Sequence, residues 1–173
     1  LLYWGSGFQP IKVQELAEDR LSFAQASEPI DLVWPNPVSG AFPRLVEAAW
    51  VIHRDDFYYL FYSGDNCCGP KAHYGVMVAR SRSATGPFEI APDKVILEMR
   101  DIWVAPGHNS VAEDKAGKHW MVYHAVDSRR SRSKPDADVN TRRVMLIDRI
   151  EWRDGWPRLI ASPSTGPRPA PAR

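Results

Sequence analysis

Residues 45–65, LVEAAWVIHRDDFYYLFYSGD, decide the fold that this sequence predicts. β-Branched and aromatic residues fill two runs, residues 46–53 and 57–62, and the polar turn formers at 54–56 separate them, which is the pattern of a β-hairpin. The first run is apolar apart from one carboxylate, Glu47. Because a charge in an otherwise apolar strand is costly to bury, Glu47 is either a solvated strand end or a functional group.

The composition is that of a globular protein, with 44% hydrophobic and 25% charged residues in a chain of 173. The net charge of +1 argues against a dedicated nucleic-acid surface. No apolar run reaches the roughly 18 residues of a transmembrane helix. Seven Trp, six Tyr and six Phe make the chain rich in side chains that fill sheet cores and also stack on sugar rings. We therefore expect neither nucleic acid nor a membrane as a partner.

Strand-and-turn units recur along the chain. Residues 59–63, YLFYS, align with residues 120–124, WMVYH, at an offset of 120 − 59 = 61, and residues 2–4 align with 60–62 at an offset of 60 − 2 = 58. Sheets that recur in this way are typical of β-propeller blades, whereas a β-sandwich predicts no such repeat. We predict an all-β fold, a β-propeller fragment of about three four-stranded blades in a domain of residues 1–161, followed by a Pro-rich C-terminal tail of residues 162–173.

Loops are predicted between these units. Four prolines within residues 27–43 block helix and central strand alike, so we predict a loop there and a short third strand earlier, at residues 21–23. A connector is predicted through residues 105–107, ahead of a strand at 109–112. The basic loop at residues 127–141 is predicted to be a solvated insertion rather than a nucleic-acid site.

Three motifs carry a resemblance to a known family. They are residues 47–52, EAAWVI, with residues 58–63, YYLFYS; residues 106–110, PGHNS; and residues 145–152, MLIDRIEW. In this order they resemble the general-acid region, the central-channel histidine motif and the last-blade strand of glycoside hydrolase family 43, whose members are five-bladed β-propellers. The likeness covers nearly all of residues 1–163, so we predict that this chain forms part of a five-bladed propeller.

The resemblance implies an inverting hydrolase of α-L-arabinofuranosyl or β-D-xylosyl linkages in plant cell-wall polysaccharides. Inversion needs a protonated carboxyl for the leaving oxygen and an ionised one, about 6.5–9.5 Å away, to activate water. The resemblance makes Glu47 the general acid, and an apolar wall of Trp50 and Tyr62 would help it keep its proton near neutral pH. The family's general base and a third carboxylate fall upstream of Leu1, so we expect the base to be missing from this chain.

Other residues are assigned to substrate binding. Arg143 matches a family arginine that reaches the active-site carboxylates or sugar hydroxyls, and the alternative is a surface arginine. The adjacent Cys67 and Cys68 can close a small disulfide ring that stiffens the loop and offers a flat face to a sugar; the alternative is two free thiols. We predict the disulfide. The remaining residues expected to contact the sugar are Trp50, Asn66 and Trp103.

His108 is the candidate metal ligand. By the resemblance it points into the central channel and holds a calcium or other ion, mostly through water. One imidazole is a poor site for a hard cation, which prefers oxygen ligands, so the site would be weak. A structural histidine is the alternative.

Three functional hypotheses stay open at this point. The chain is a glycosidase of this family, a carbohydrate-binding or inactive half-propeller, or a unit that self-assembles because an open propeller leaves sheet faces and edges uncovered. The expected partners are an arabinose- or xylose-containing oligosaccharide and a second copy of the chain, most simply in a twofold dimer. The resemblance favours an extracellular or periplasmic location.

Overall fold

The computed structural model describes residues 1–38, 41–69, 71–93, 95–130, 143–167 and 169–172. Its secondary structure is almost entirely β, with two short 3-10 turns at Phe42–Arg44 and Ser128–Arg130. The described strands are β1 (Leu2–Trp4), β2 (Ile11–Gln14), β3 (Ile30–Val33), β4 (Val46–Arg54), β5 (Phe57–Asn66), β6 (His73–Ser81), β7 (Glu89–Ile90), β8 (Trp103–Glu113), β9 (His119–Asp127), β10 (Arg143–Arg149), β11 (Glu151–Arg153) and β12 (Trp156–Arg158). This confirms the predicted all-β class.

The strands form three antiparallel sheets that follow one another along the chain. They are β1-β2-β3, β4-β5-β6-β7 and β8-β9-β10, and β11-β12 is a separate hairpin. The aligned residues 59–63 and 120–124 fall on equivalent strands, because β5 and β9 are the second strands of their sheets. Residues 2–4, aligned with 60–62, form β1, the first strand of its sheet in the described residues. The second sheet has the four strands predicted for a blade, while the first and third have three each in the described residues.

The central strands β5 and β6 of the second sheet are buried on both faces, which explains why they are apolar without alternation. Tyr59 and Phe61 of β5 pack with Met121 and Tyr123 of the third sheet. The intervening Leu60 and Tyr62 pack instead with Ile11 and Val33 of the first sheet. Each such fully buried side chain contributes roughly 1.5–3 kcal/mol to folding.

The third strand lies elsewhere than predicted. Residues 21–23 form no strand, and Phe23 makes only an isolated bridge with Leu16. The strand β3 occupies Ile30–Val33, inside the segment that was predicted to be a loop. Pro29 and Pro35 lie outside this strand and do not interrupt its hydrogen bonds, so the density of prolines was a misleading signal.

The predicted connector at residues 105–107 is also wrong, because it lies inside β8. The pairing of β8 with β9 shifts register on both sides of Gly107. Ala105 and His108 adopt left-handed backbone conformations, with φ of 49° and 52°. A bulged strand of this kind tolerates Pro106, which cannot donate to a regular ladder.

The C-terminal residues lie across the third sheet. The indole Nε1 of Trp103 donates to the carbonyl oxygen of Ser164 at 2.9 Å, and the amide of Ala172 donates to Oδ2 of Asp114 at 3.0 Å. Whether this tail is separate from the domain, as predicted, stays a prediction. Most of the predicted basic loop of residues 127–141 lies outside the described residues, which end at 130 and resume at 143. In the described parts, no helix has both the length and the apolar character needed to cross a membrane.

Candidate active site

Glu47 lies where β4 departs from regular strand geometry. It pairs with Ser63 of β5, and the register then shifts before Trp50 pairs with Phe61. Ala48, inside this bulge, has a left-handed backbone with φ of 55°. Bulges re-aim side chains, and this one leaves the Glu47 carboxylate half-buried at the end of the second sheet.

Both oxygens of the Glu47 carboxylate have hydrogen-bond donors. The hydroxyl of Tyr74 donates to Oε1 at 2.6 Å, and the hydroxyl of Ser6 contacts Oε2 at 3.2 Å. Tyr74 is only 1% exposed. Burial, and then the bond to Glu47, raise the pKa of Tyr74 above its usual range, so the phenol remains the donor.

The ring of Tyr74 is fixed by two residues of the third sheet. It lies parallel to the imidazole of His124, with ring centroids 5.9 Å apart. A Cβ on Gly107 would come within 2.2 Å of Cε1 of Tyr74, so only glycine leaves room for the ring. The sequence drew attention to Gly107 through the PGHNS motif, but neither Tyr74 nor His124 was singled out, because each resembled an ordinary core residue.

His108 is exposed, and its backbone amide donates to Oγ of Ser63 at 2.8 Å. The same hydroxyl donates to Oδ1 of Asn109 at 3.3 Å. Nowhere in the described residues do three His, Cys, Asp or Glu side chains come together as a metal site. His108 could therefore supply one nitrogen to a cation, and water would have to supply the other ligands.

His124 is a half-buried histidine whose pKa lies well below its ordinary value. Burial, followed by the positive charges of Arg143 and His108, lowers the pKa of His124 to about 4. Its Nδ1 and the side-chain Nδ2 of Asn109 are buried atoms that have no hydrogen-bond partner among the described residues. The imidazole is therefore neutral at physiological pH.

The predicted bond between Cys67 and Cys68 is present in the structure. Nη2 of Arg143 lies 3.0 Å from Sγ of Cys68 and joins the third sheet to this loop. Asn66 stabilises the same loop, because its Oδ1 accepts from the amide of Cys68 at 3.4 Å and its Nδ2 donates to the carbonyl of Lys71 at 3.1 Å. Asn66, Cys67 and Cys68 thus form one surface with Arg143, and all four were predicted to bind sugar.

A charged cluster that the sequence did not reveal supports this loop. Oδ1 of Asp65 accepts from Nε of Arg44 at 2.8 Å, and Oδ2 lies 2.6 Å from Nδ1 of His73. The ring of His73 stacks on Phe42 at 4.2 Å. Burial alone would raise the pKa of Asp65, but the hydrogen bonds from His73 and Arg44 outweigh it and hold that pKa below its usual range.

The predicted aromatic side chains have other partners. Trp50 is 42% exposed, and its Nε1 donates to the carbonyl of Val111 at 3.0 Å, which joins β4 to β8. The indole Nε1 of Trp103 donates to Ser164 of the tail, and its contact with a sugar stays a prediction. The expectation that Tyr62 walls Glu47 is wrong: Ser63 is the partner of Glu47, so Tyr62 points to the opposite face of the sheet.

Comparison with known proteins identifies the family. The model of the glycosyl hydrolases family 43 matches residues 2–157, which include Glu47 and all three sequence motifs. The chain belongs to this family. The resemblance inferred from the sequence is thereby confirmed.

Individual relatives share the sequence over part of their length. A β-D-galactofuranosidase, xynD, of Aspergillus niger is 29% identical over 157 residues, covering 88% of this chain and 39% of the relative. An extracellular endo-α-(1→5)-L-arabinanase of Bacillus subtilis is 31% identical over 121 residues, covering 65% of this chain and 33% of the relative. The chain therefore spans about a third to two fifths of these curated relatives.

A solved structure shows the same architecture. The α-L-arabinanase of Cellvibrio cellulosa, determined with arabinohexaose, superposes with a TM-score of 0.75 at 24% identity, over 91% of this chain and 51% of the arabinanase. Family 43 enzymes are β-propellers, and the three sheets of this chain are a partial propeller, as predicted.

Proposed function

We propose that this chain carries the general-acid side of a family 43 glycosidase site, with Glu47 as the acid. The observation that carries the proposal is the half-buried Glu47 carboxylate, which is held at both oxygens on a bulge and lies inside the segment matched by the family. A fixed carboxyl of this kind can deliver a proton to the leaving oxygen of a glycosidic bond.

The substrate class that we propose is an α-L-arabinofuranosyl or β-D-xylosyl linkage of a plant cell-wall polysaccharide. The arabinanase relatives support the arabinofuranosyl choice. The Aspergillus relative makes a galactofuranoside a useful comparison substrate. We propose that Arg143 and the Cys67–Cys68 ring form a sugar-contacting surface near Glu47, with Asn66 supporting the ring.

The general base is proposed to lie outside the described residues. The buried carboxylates among the described residues have structural partners: Asp65 is bonded to Arg44 and His73, Asp127 to Arg129, and Asp148 accepts from Tyr123 at 2.6 Å. A carboxylate occupied in this way is poorly suited to activate a water molecule. Inverting hydrolysis then requires a base from another polypeptide segment or another subunit.

Substitution of Glu47 by Gln tests the acid. Loss of general acid catalysis should lower turnover about 10²–10⁴-fold on substrates with poor leaving groups. The effect should be much smaller on aryl glycosides, whose leaving groups need little protonation. Glu98→Gln, at an exposed glutamate, is the matched control. Near-full turnover by Glu47→Gln on a substrate with a poor leaving group would contradict the assignment of Glu47 as the general acid.

Self-association is a second proposal, favoured by exposed apolar side chains in the loops next to the strands of the first sheet and on β10 of the third sheet. The largest exposures are those of Leu21 at 91%, Met145 at 76%, Phe8 at 65% and Trp34 at 63%. A twofold dimer is the simplest arrangement that covers such surfaces. Light scattering at micromolar concentration should give twice the mass of the chain, and a strictly monomeric mass would contradict the dimer. An extracellular or periplasmic location is proposed from the extracellular relative.

A further inference from the structure

We propose that Tyr74 is a positioning residue that fixes Oε1 of Glu47 as a hydrogen-bond acceptor and so assigns the transferable proton to Oε2. The role in proton transfer rests on the proposed function of Glu47, whereas the hydrogen bond itself can be tested without any turnover.

The direction of this hydrogen bond follows from the burial of Tyr74. The phenol is 1% exposed and lies 2.6 Å from Oε1. Burial keeps the phenol protonated, and ionised Glu47 carries no proton, so Tyr74 is the donor to Oε1 in that state. In the neutral acid the same donation leaves the transferable proton on Oε2. The hydroxyl of Ser6, 3.2 Å from Oε2, can both donate and accept, so it tolerates either state.

The packing around the Tyr74 ring holds its hydroxyl in a fixed position next to Glu47. The ring passes over the Cα of Gly107, where any side chain would clash, and lies parallel to His124. The strand that carries Gly107 is tied to the second sheet next to it, because the amide of His108 donates to Ser63. The phenol is thus held by the contact between two sheets, and its hydroxyl has little freedom to leave Glu47.

The chemical benefit lies in the change of charge during the reaction. As the glycosidic C–O bond breaks, water adds to the anomeric carbon and gives one proton to the general base, which we proposed to lie outside the described residues. The proton on Oε2 moves to the leaving oxygen, and Glu47 becomes a carboxylate. Tyr74 keeps its own proton throughout. Its hydrogen bond then becomes charge-assisted and stronger, so it stabilises the transition state more than the ground state.

The first test is the titration of the Glu47 carboxyl, followed by ¹³C NMR on the full chain and assigned with Glu47→Gln. Loss of the Tyr74 hydroxyl in Tyr74→Phe should raise the midpoint by about half to one pH unit, because hydrogen bonds favour the ionised form. Tyr59→Phe is the matched control, since that hydroxyl donates to the carbonyl of Gly155 at 2.8 Å. An unchanged midpoint in Tyr74→Phe overturns the proposal.

The second test uses Gly107→Ala, which keeps the Tyr74 hydroxyl but displaces its ring. The midpoint should rise in the same direction as in Tyr74→Phe, with the fold checked by circular dichroism. Where turnover is measurable, Tyr74→Phe should lower kcat about five- to tenfold on substrates with poor leaving groups and little on aryl glycosides. If Glu47→Gln keeps turnover, the proposed function fails; if it loses turnover while Tyr74→Phe titrates as wild type, only the present inference fails.

Discussion

The two ends of the second sheet differ in what holds them together. At the hairpin end, β4 and β5 pair in regular register, with Val51 opposite Leu60. There the ring of Tyr59 packs edge-on against Trp152 at 4.7 Å. At the other end the register breaks, Ala48 is left-handed, and Glu47 needs its hydrogen bonds to stay in place.

This difference separates the parts of the chain that stabilise the fold from the parts that form the site. Apolar burial and regular pairing stabilise the hairpin end, whereas the bulged end buries polar groups that are costly unless they are bonded. Departures from local structural rules concentrate at functional sites. Substitutions at the hairpin end should therefore change stability, and those at the bulged end should change titration and binding.

Tyr59→Ala should produce the largest stability change. Removing a fully buried aromatic side chain leaves a cavity and lowers the free energy of unfolding by about 3–5 kcal/mol. Tyr59→Phe, which keeps the ring and loses the hydroxyl bonded to Gly155, should cost about 1 kcal/mol. Urea unfolding measures both. Glu47→Gln should change the unfolding free energy by less than about 1 kcal/mol, and a cost as large as that of Tyr59→Ala would erase the distinction between the two ends.

The next largest effect is a pH dependence at the bulged end. The pKa of His124 is lowered to about 4 from its ordinary 6.5, so the unfolded chain takes up a proton before the folded chain does. The stability is therefore complete above pH 6.5 and declines as the pH falls toward 4. After allowance for partial solvent screening, the loss should be about 1–2 kcal/mol.

His124→Gln provides the control for this decline. Urea unfolding between about pH 7 and pH 4.5 should show a shallower slope in the variant than in the wild type. Asp65 does not confuse the result, because its lowered pKa places its own loss of stability at more acidic pH. Equal slopes in the two proteins would mean that His124 takes up its proton at the same pH in the folded and the unfolded chain.

Reduction of Cys67–Cys68 should have little effect on stability and a larger effect on sugar binding. A disulfide stabilises according to the length of the loop that it closes, and neighbouring residues close almost none. We expect less than about 0.5 kcal/mol in unfolding free energy, but a several-fold weaker affinity for an arabino-oligosaccharide, because the surface shared with Arg143 loosens. Mass spectrometry should first show two hydrogens fewer in the unreduced chain. A double Cys→Ser variant that binds as tightly as the wild type would contradict this role.

The sequence predicted the hairpin well because one run of apolar residues and one polar turn define it locally. It also predicted that Glu47 was unusual, and the motifs led to the family. It missed the partners of Glu47, because Tyr74 is 27 residues away and reaches it only once β4, β5 and β6 are paired. A tyrosine in an apolar run looks like a core residue, and only its hydroxyl contact distinguishes it.

The errors elsewhere have the same origin. β3 was missed because proline content was taken for loop content, although the prolines flank the strand. The first half of β8 was missed because Pro106 and Gly107 signal a turn in isolation. In the structure they signal a bulge, and Gly107 is needed for the ring of Tyr74. Whether such residues mark a turn or a bulge depends on contacts between sheets, and a local sequence pattern contains no information about those contacts.

The smallest expected effect concerns His108, at the edge of the bulged end. A cation held by one exposed imidazole and water would bind weakly, because a hard cation gains most from oxygen ligands. Chelator should therefore lower the melting temperature of a metal-containing sample by only about a degree or two, which corresponds to a ligand near its dissociation constant. His108→Ala should abolish that sensitivity, while His53→Ala, at the hairpin end, should retain it. Identical melting curves with and without chelator would leave His108 a structural residue, whose backbone amide anchors β8 to Ser63. That outcome would restrict the function of the bulged end to the carboxylate of Glu47 and its hydrogen-bond donors.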